Sequence, residues 1–83
     1  MAESIATKVM AAIVQSQGID PGRVTPGTTF EDLDMSSLDA LALINALEEQ
    51  FEIAIPNEEA MGLRTVGETI ACVERLLPEA VGP

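Results

Sequence analysis

Three segments of this chain place apolar residues at helical spacing, and each lies between residues that start and stop helices. The first begins after Ser4, whose side chain can cap a helix, and ends at Gly18, which favours the left-handed backbone of a helix C-terminus. Its apolar residues lie at positions i, i+4, i+7 and i+8, namely Ile5, Val9, Ala12 and Ile13. This spacing predicts an amphipathic helix.

The second segment has the strongest helix signal. Ser36 and Asp39 are spaced as a capping box, in which each side chain accepts a hydrogen bond from the other residue's backbone N–H. The predicted apolar face consists of Leu38, Leu41, Ala42, Ile44 and Leu47. Phe51 ends the run, and Pro56 biases the residue before it towards extended backbone.

The third segment repeats the pattern near the end of the chain. Thr65 and Glu68 are spaced as a second capping box, and Pro78 stops the helix that follows. The predicted apolar face consists of Val66, Ile70, Val73, Leu76 and Leu77.

The remaining residues join these helices. A short helical turn is predicted over 57–61, with Asn57 as its cap and Gly62 after it. The stretch 19–34 contains two prolines and two glycines, which break regular structure. Its expected anchors in the core are Val24, Phe30 and Leu33. Because no alternation of apolar and polar residues predicts a strand, the predicted fold is all-α: a small four-helix bundle with three main helices, one short helix and a long first loop.

Size and charge limit the fold and its partners. The 83 residues predict one domain over 1–83, with 78–83 as a flexible tail, and the presence of only two aromatic residues implies an aliphatic core. Four Lys and Arg against fourteen Asp and Glu give a net charge of −10. This balance excludes the basic stripe of a nucleic-acid-binding protein and disfavours anionic membranes. We expect a monomer whose partners carry basic patches.

The chain contains no histidine and one cysteine. A Ser-His-Asp triad, a Cys-His pair and a His-ligated metal site are therefore excluded. Cys72 is expected to be a partly buried structural thiol, with Glu68 one turn before it and Arg75 one turn after it. A single cysteine, without a signal peptide or a membrane-spanning run, predicts a cytoplasmic protein.

Two clusters of acidic residues resemble functional sites but lack features that those sites need. Residues 32–36 begin like a calcium-binding EF-hand loop, but Ser37 and Leu43 occupy the positions that require Gly and Glu, so no metal site is predicted. A second group is typical of a solvated helix face rather than of an acid–base pair: Glu48, Glu49, Glu52, Glu58 and Glu59.

Ser37 is the residue whose position has chemical consequences. Since Ser36 supplies the cap, the Ser37 hydroxyl is expected to be exposed at the positive end of the second helix. No base is near to activate it as a nucleophile. A phosphate attached to this hydroxyl would lie against free backbone N–H groups, which favours a phosphoryl group installed by another enzyme. An unmodified surface serine remains the alternative on this argument alone.

The sequence around Ser37 resembles the serine motif of acyl carrier proteins. The similar stretch is FEDLDMSSLDAL over 30–41, and it is followed by LEEQFEIAIPNEEA over 47–60 and LRTVGETI over 63–70. The resemblance extends from about residue 5 to residue 77, and the combination of the three stretches makes it specific.

This resemblance implies a four-helix carrier in which Ser37 bears 4′-phosphopantetheine, attached from coenzyme A by a phosphopantetheinyl transferase. It implies that the thiol of this arm holds an acyl group as a thioester, which the carrier shields between its helices. It also implies that the carrier itself has no catalytic residue and is not an enzyme. The implied partners are acyl-transferring and chain-elongating enzymes of fatty-acid, related lipid or polyketide biosynthesis. It also implies a docking face on the second helix, formed by Asp39, Glu48, Glu49 and Glu52.

Departures from the family's pattern indicate a specialised carrier with a restricted set of partners. Ser36 stands where the family usually has Asp, and Ala42 and Ala54 stand where it often has Glu. Met61 replaces a common acidic residue, so the docking face is less acidic and more apolar, and Asn45 stands where the family often has an apolar residue. Two alternatives remain open: a carrier of amino-acyl, peptidyl or polyketide units, and an interaction module without phosphopantetheine.

Overall fold

The computed structural model describes residues 4–77, which form four α-helices and one short 3₁₀ turn. The elements in order are α1 (Ile5–Gln17), the 3₁₀ turn (Pro21–Arg23), α2 (Ser37–Phe51), α3 (Asn57–Gly62) and α4 (Val66–Leu76). Within the described residues there is no strand, and one isolated antiparallel bridge joins Thr29 to Thr65. The prediction of an all-α fold with three main helices, one short helix and a long first loop is confirmed.

The ends of the main helices follow their local sequence signals. Ser4 caps α1, and Gly18 ends it with a φ of 63°. Both predicted capping boxes are present, Ser36 with Asp39 and Thr65 with Glu68. These predictions are confirmed because each depends on hydrogen bonds between residues three positions apart.

The start of α3 and the long loop differ in detail from expectation. The prediction that Asn57 caps α3 is wrong: Pro56 occupies the cap position, and its carbonyl accepts the Ala60 N–H at 2.9 Å. Proline has no side-chain acceptor, so α3 begins without a side-chain cap, and it includes Gly62. The 3₁₀ turn inside the loop was not predicted; the Asp20 carboxylate stabilises it by accepting the Gly22 N–H at 3.0 Å.

One aliphatic core joins the helices and the loop. Helix α1 packs against both α2 and α4. The buried apolar residues are Val9, Ile13, Val24, Phe30, Leu33, Leu43, Ile44, Leu47, Ile55, Val66, Ile70, Cys72 and Val73. The three predicted loop anchors are among them, which explains how a loop of this length is held against the bundle.

The apolar face predicted for α2 is partly wrong. Leu38 and Leu41 are 76% and 50% exposed, and Ala42 is also exposed, whereas Leu43 is buried. At 3.6 residues per turn, Leu43 and Leu47 share the side of α2 that faces the core, and Leu38 lies on the other side. The start of α2 therefore presents apolar side chains to its surroundings.

Backbone hydrogen bonds fix the end of the long loop to the start of α4. The Phe30 N–H donates to the Arg64 carbonyl at 2.9 Å, and the Gly67 N–H donates to the Pro26 carbonyl at 2.8 Å. A Cβ at Gly67 would lie 2.9 Å from the Pro26 oxygen, so this close approach requires glycine. Since α2 begins directly after this loop, the contacts also set the position of its first turn.

Some predictions from the sequence concern positions outside residues 4–77. The helix stop at Pro78 and the tail 78–83 lie outside the described residues, and a single domain over 1–83 stays a prediction. No helix within residues 4–77 has the length and apolar character needed to cross a membrane.

Candidate functional site

The first turn of α2 holds Ser37 in place through its two neighbours in the capping box. Ser36 Oγ accepts the Asp39 N–H at 3.2 Å, and Asp39 Oδ2 accepts the Ser36 N–H at 3.0 Å. Ser37 is the first residue of α2 and is exposed. Its hydroxyl is therefore free of any capping role, as the sequence predicted.

The surroundings of Ser37 suit a covalently attached anion. The backbone N–H groups of Ser37 and Leu38 have no hydrogen-bond partner among residues 4–77, as is usual for the first turn of a helix. These groups and the helix dipole favour negative charge at this end. No side chain in the described part of the chain hydrogen-bonds the Ser37 hydroxyl, so Ser37 depends on an external base for any reaction.

A cavity of about 680 Å³ opens beside Ser37, between α2, α3 and the loops before α2 and α4. We call it the α2–α3 cavity. Its apolar lining consists of Phe30, Met35, Ala40, Leu41, Ile44, Ala60, Met61 and Leu63. Its polar lining consists of Thr29, Glu31, Ser36, Ser37, Asn57 and Arg64. The volume and the mostly apolar lining are typical of a small-molecule site with a few polar groups at fixed positions.

Helix α3 forms one wall of this cavity and is held to α4 by a charged contact. Glu59 forms an ion pair with Arg75 and also accepts a hydrogen bond from the Cys72 thiol, with Sγ and Oε1 3.3 Å apart. Helix α3 contains no fully buried residue, so it is held to the bundle by this contact and by the partly buried Ala60, which packs against the core. The sequence predicts a solvated face for Glu59, because the partners of Glu59 are 13 and 16 positions away and no local pattern reveals them.

The same contact explains the state of the only cysteine. Cys72 is 3% exposed, so it is more deeply buried than predicted. Burial raises the pKa of its thiol above the ordinary value, and the hydrogen bond and charge of Glu59 raise it further against the opposing effect of Arg75. Glu68, expected beside Cys72, instead accepts the Arg64 N–H at 2.7 Å.

Comparison with known proteins places this chain in a family. The family model described as the phosphopantetheine attachment site matches residues 7–73. The chain belongs to this family of acyl carrier proteins. The carrier is also similar to the acyl carrier protein of Thermotoga maritima, at 25% sequence identity and a TM-score of 0.74, over 92% of this chain and 94% of that one.

Membership settles the cofactor and the class of activity. Carriers of this family bear covalently attached 4′-phosphopantetheine and are not enzymes, so both predictions are confirmed. The exposed hydroxyl, the free N–H groups and the adjacent cavity of this carrier fit such a group.

The four carboxylates predicted to form the docking face have different surroundings in this carrier. Asp39 is engaged in the capping box, and Glu48 Oε2 accepts the backbone N–H of Ile55. Glu49 and Glu52 are exposed. The acidic groups do not converge: among residues 4–77, no cluster of three or more His, Cys, Asp and Glu side chains could hold a metal ion.

Proposed function

We propose that this carrier bears 4′-phosphopantetheine on Ser37 and delivers acyl intermediates, held as thioesters on that arm, to biosynthetic enzymes of fatty-acid, related lipid or polyketide pathways. One observation supports the proposal above all. Ser37 is an exposed, non-capping serine at the first position of α2, on the rim of the α2–α3 cavity. The family's cofactor needs a free hydroxyl, and Ser37 offers one beside a space that can receive a chain.

The attachment step needs a second protein. The Ser37 oxygen forms a bond to the phosphorus that carries the pantetheine of coenzyme A, and the bond from that phosphorus to the rest of coenzyme A breaks. The hydroxyl proton passes to a base of the phosphopantetheinyl transferase, because no base of the described chain contacts Ser37. Backbone N–H groups of the first turn then face the new phosphodiester.

The cavity supports the proposed cargo. An acyl chain in water exposes apolar surface, and its transfer onto the apolar lining is favourable in proportion to the area buried. Leu41 and Met61, from α2 and α3, lie on that lining and are also exposed to solvent, at 50% and 83%. The cavity is thus open to solvent, and Ser37 lies on the same lining.

Charge supports delivery to partners with basic patches. A net charge of −10 on 83 residues steers encounter with a positively charged surface. In the proposed docking face, Glu49 and Glu52 are the carboxylates free to contact a partner, while Asp39 and Glu48 add charge from fixed positions. The proposed partners are a phosphopantetheinyl transferase and acyl-transferring and chain-elongating enzymes, encountered by a single-domain monomer in the cytoplasm.

The experiment that tests this proposal is mass spectrometry of the protein purified from its native host. The expected result is a phosphopantetheine adduct on Ser37, with a fraction of the arms carrying acyl thioesters whose masses identify the pathway. Amino-acyl or peptidyl thioesters would assign it to that other class of carrier. Protein that is unmodified both in the host and after incubation with coenzyme A and a transferase would be an interaction module and would contradict the proposal.

A further inference from the structure

Among residues 4–77, Arg64 is the one basic residue that lines the α2–α3 cavity. The four basic residues are Lys8, Arg23, Arg64 and Arg75, and all lie within the described residues. Arg75 is paired with Glu59, and Arg23 donates to the Asp32 carbonyl at 3.3 Å. The guanidinium of Arg64 has no hydrogen-bond or ion-pair partner among residues 4–77.

The backbone places Arg64 close to the start of α2. The Phe30 N–H donates to the Arg64 carbonyl at 2.9 Å, and the Phe30 carbonyl accepts the Met35 N–H at 3.1 Å. Phe30 thus links Arg64 to the residue that precedes Ser36 and Ser37. Arg64 and Ser37 consequently lie on the lining of the same cavity.

We propose that Arg64 is a positioning residue that pairs with the phosphodiester of the arm on Ser37 and directs the arm towards the α2–α3 cavity. This inference rests on the proposed attachment at Ser37. A guanidinium presents donors in a planar fork that matches two oxygens of one phosphate, and it is less strongly hydrated than an ammonium group. Pairing at this place would also offset the charge that the arm adds to a chain of −10.

Two other charged groups bear on the pairing. Glu31 also lines the cavity and competes for Arg64, although residues 4–77 include no ion pair between them. An anionic group on the cargo, such as a terminal carboxylate, shares the chemistry of the phosphate. We favour the phosphodiester because it is bonded directly to Ser37, whereas the cargo lies at the far end of the arm.

The experiment compares apo and holo protein by ¹⁵N and ³¹P NMR for the parent, Arg64→Gln, Arg64→Lys and the control Arg23→Gln. On conversion of the parent to the holo form with a free thiol, we expect the Arg64 Nε–H resonance to shift, and the shift to shrink as salt rises. The ³¹P resonance of Arg64→Gln should differ from that of the parent, Arg64→Lys should lie between them, and Arg23→Gln should match the parent. Apo Arg64→Gln should have the same melting temperature as the apo parent, because only the backbone of Arg64 forms hydrogen bonds within residues 4–77.

The outcomes separate this inference from the proposed function. If no holo protein forms on Ser37, attachment itself is contradicted. If holo protein forms but the Arg64 resonance and the ³¹P resonance of Arg64→Gln stay unchanged, the phosphate is held without Arg64 and the inference is overturned. If the Arg64 resonance shifts only after the arm is loaded with a dicarboxylic acyl group, the cargo carboxylate is the partner, and the phosphate pairing is overturned.

Discussion

Glu48 Oε2 accepts the backbone N–H of Ile55 at 2.7 Å, so a carboxylate on the last turns of α2 holds the extended segment that leads into α3. Ile55 is buried, and the next residue, Pro56, occupies the cap position of α3. The contact therefore fixes the entry to the short helix that forms one wall of the α2–α3 cavity.

We predict that Glu48→Ala destabilises the fold. Loss of a hydrogen bond to a charged acceptor leaves the Ile55 N–H without its partner, and the free energy of unfolding should fall by about 1–3 kcal/mol. The neighbouring Glu49 is exposed, so Glu49→Ala should change it by less than about 0.5 kcal/mol. Urea unfolding of both variants measures the difference; equal stabilities would show that the contact contributes nothing.

Glu48→Gln separates the structural role of this residue from its proposed role in docking. The amide retains an acceptor oxygen for the Ile55 N–H but removes the charge. We expect a stability closer to that of the parent than that of Glu48→Ala, together with slower association with a basic partner at low salt. Association rates that match the parent would remove Glu48 from the docking face.

The features that sequence could predict are those set by nearby residues. The left-handed stop at Gly18 and the capping box of Ser36 and Asp39 each depend on only a few neighbouring positions. The capping box predicts that Ser37 lies at the exposed start of α2. The loop anchors Val24 and Phe30 were predictable because isolated apolar residues in a polar loop have a core as their favourable destination.

The features that sequence missed depend on how distant segments meet. The Cys72–Glu59–Arg75 contact joins α3 to α4, and spacing along either helix gives no sign of it. The sequence wrongly predicts Leu38 on the core face, because α2 has apolar residues on two sides and their spacing does not identify a single face. The place of Arg64 on the cavity follows from backbone pairing between two loops, which no local pattern encodes.

The raised pKa of Cys72 predicts a loss of stability at alkaline pH. The folded chain keeps the thiol proton to higher pH than the unfolded chain does, so the folded state binds more protons once the unfolded thiol begins to ionise. This contribution to stability is fully present below the pKa of the unfolded thiol and is lost as the pH rises through the pKa of the folded thiol. The slope should reach at most about 1.4 kcal/mol per pH unit.

The control for this effect is Cys72→Ala. Both proteins share every other titrating group, so the difference between their unfolding free energies from about pH 8 to pH 10 isolates the thiol. We expect the unfolding free energy of the parent to fall relative to that of Cys72→Ala across that range. Parallel curves would show that the folded and unfolded thiols have the same pKa.

Ser36 provides a test of specialisation. Ser and Asp are nearly equivalent caps, so Ser36→Asp should change the unfolding free energy by less than about 1 kcal/mol. If transferases for general carriers recognise the charge, Ser36→Asp should load faster than the parent, and the gain should shrink as salt rises. Loading rates should be measured at two ionic strengths with Ser36→Asn as the neutral control. A gain for Asn equal to that for Asp would show that charge is not recognised, and equal rates for all three would remove Ser36 from the case for specialisation.

The central claim is that the Ser37 hydroxyl is the point of attachment, and the most direct test loads Ser37→Ala and Ser36→Ala with coenzyme A and a phosphopantetheinyl transferase. Tandem mass spectrometry should place one adduct on Ser37 in the parent and in Ser36→Ala, and none on Ser37→Ala. Ser37→Ala should unfold at nearly the same denaturant concentration as the parent, because Ser36 and Asp39 keep the cap. Ser36→Ala should lose about 1 kcal/mol as a cap variant. An adduct that persists in folded Ser37→Ala, on Ser36 or any other residue, would contradict the account.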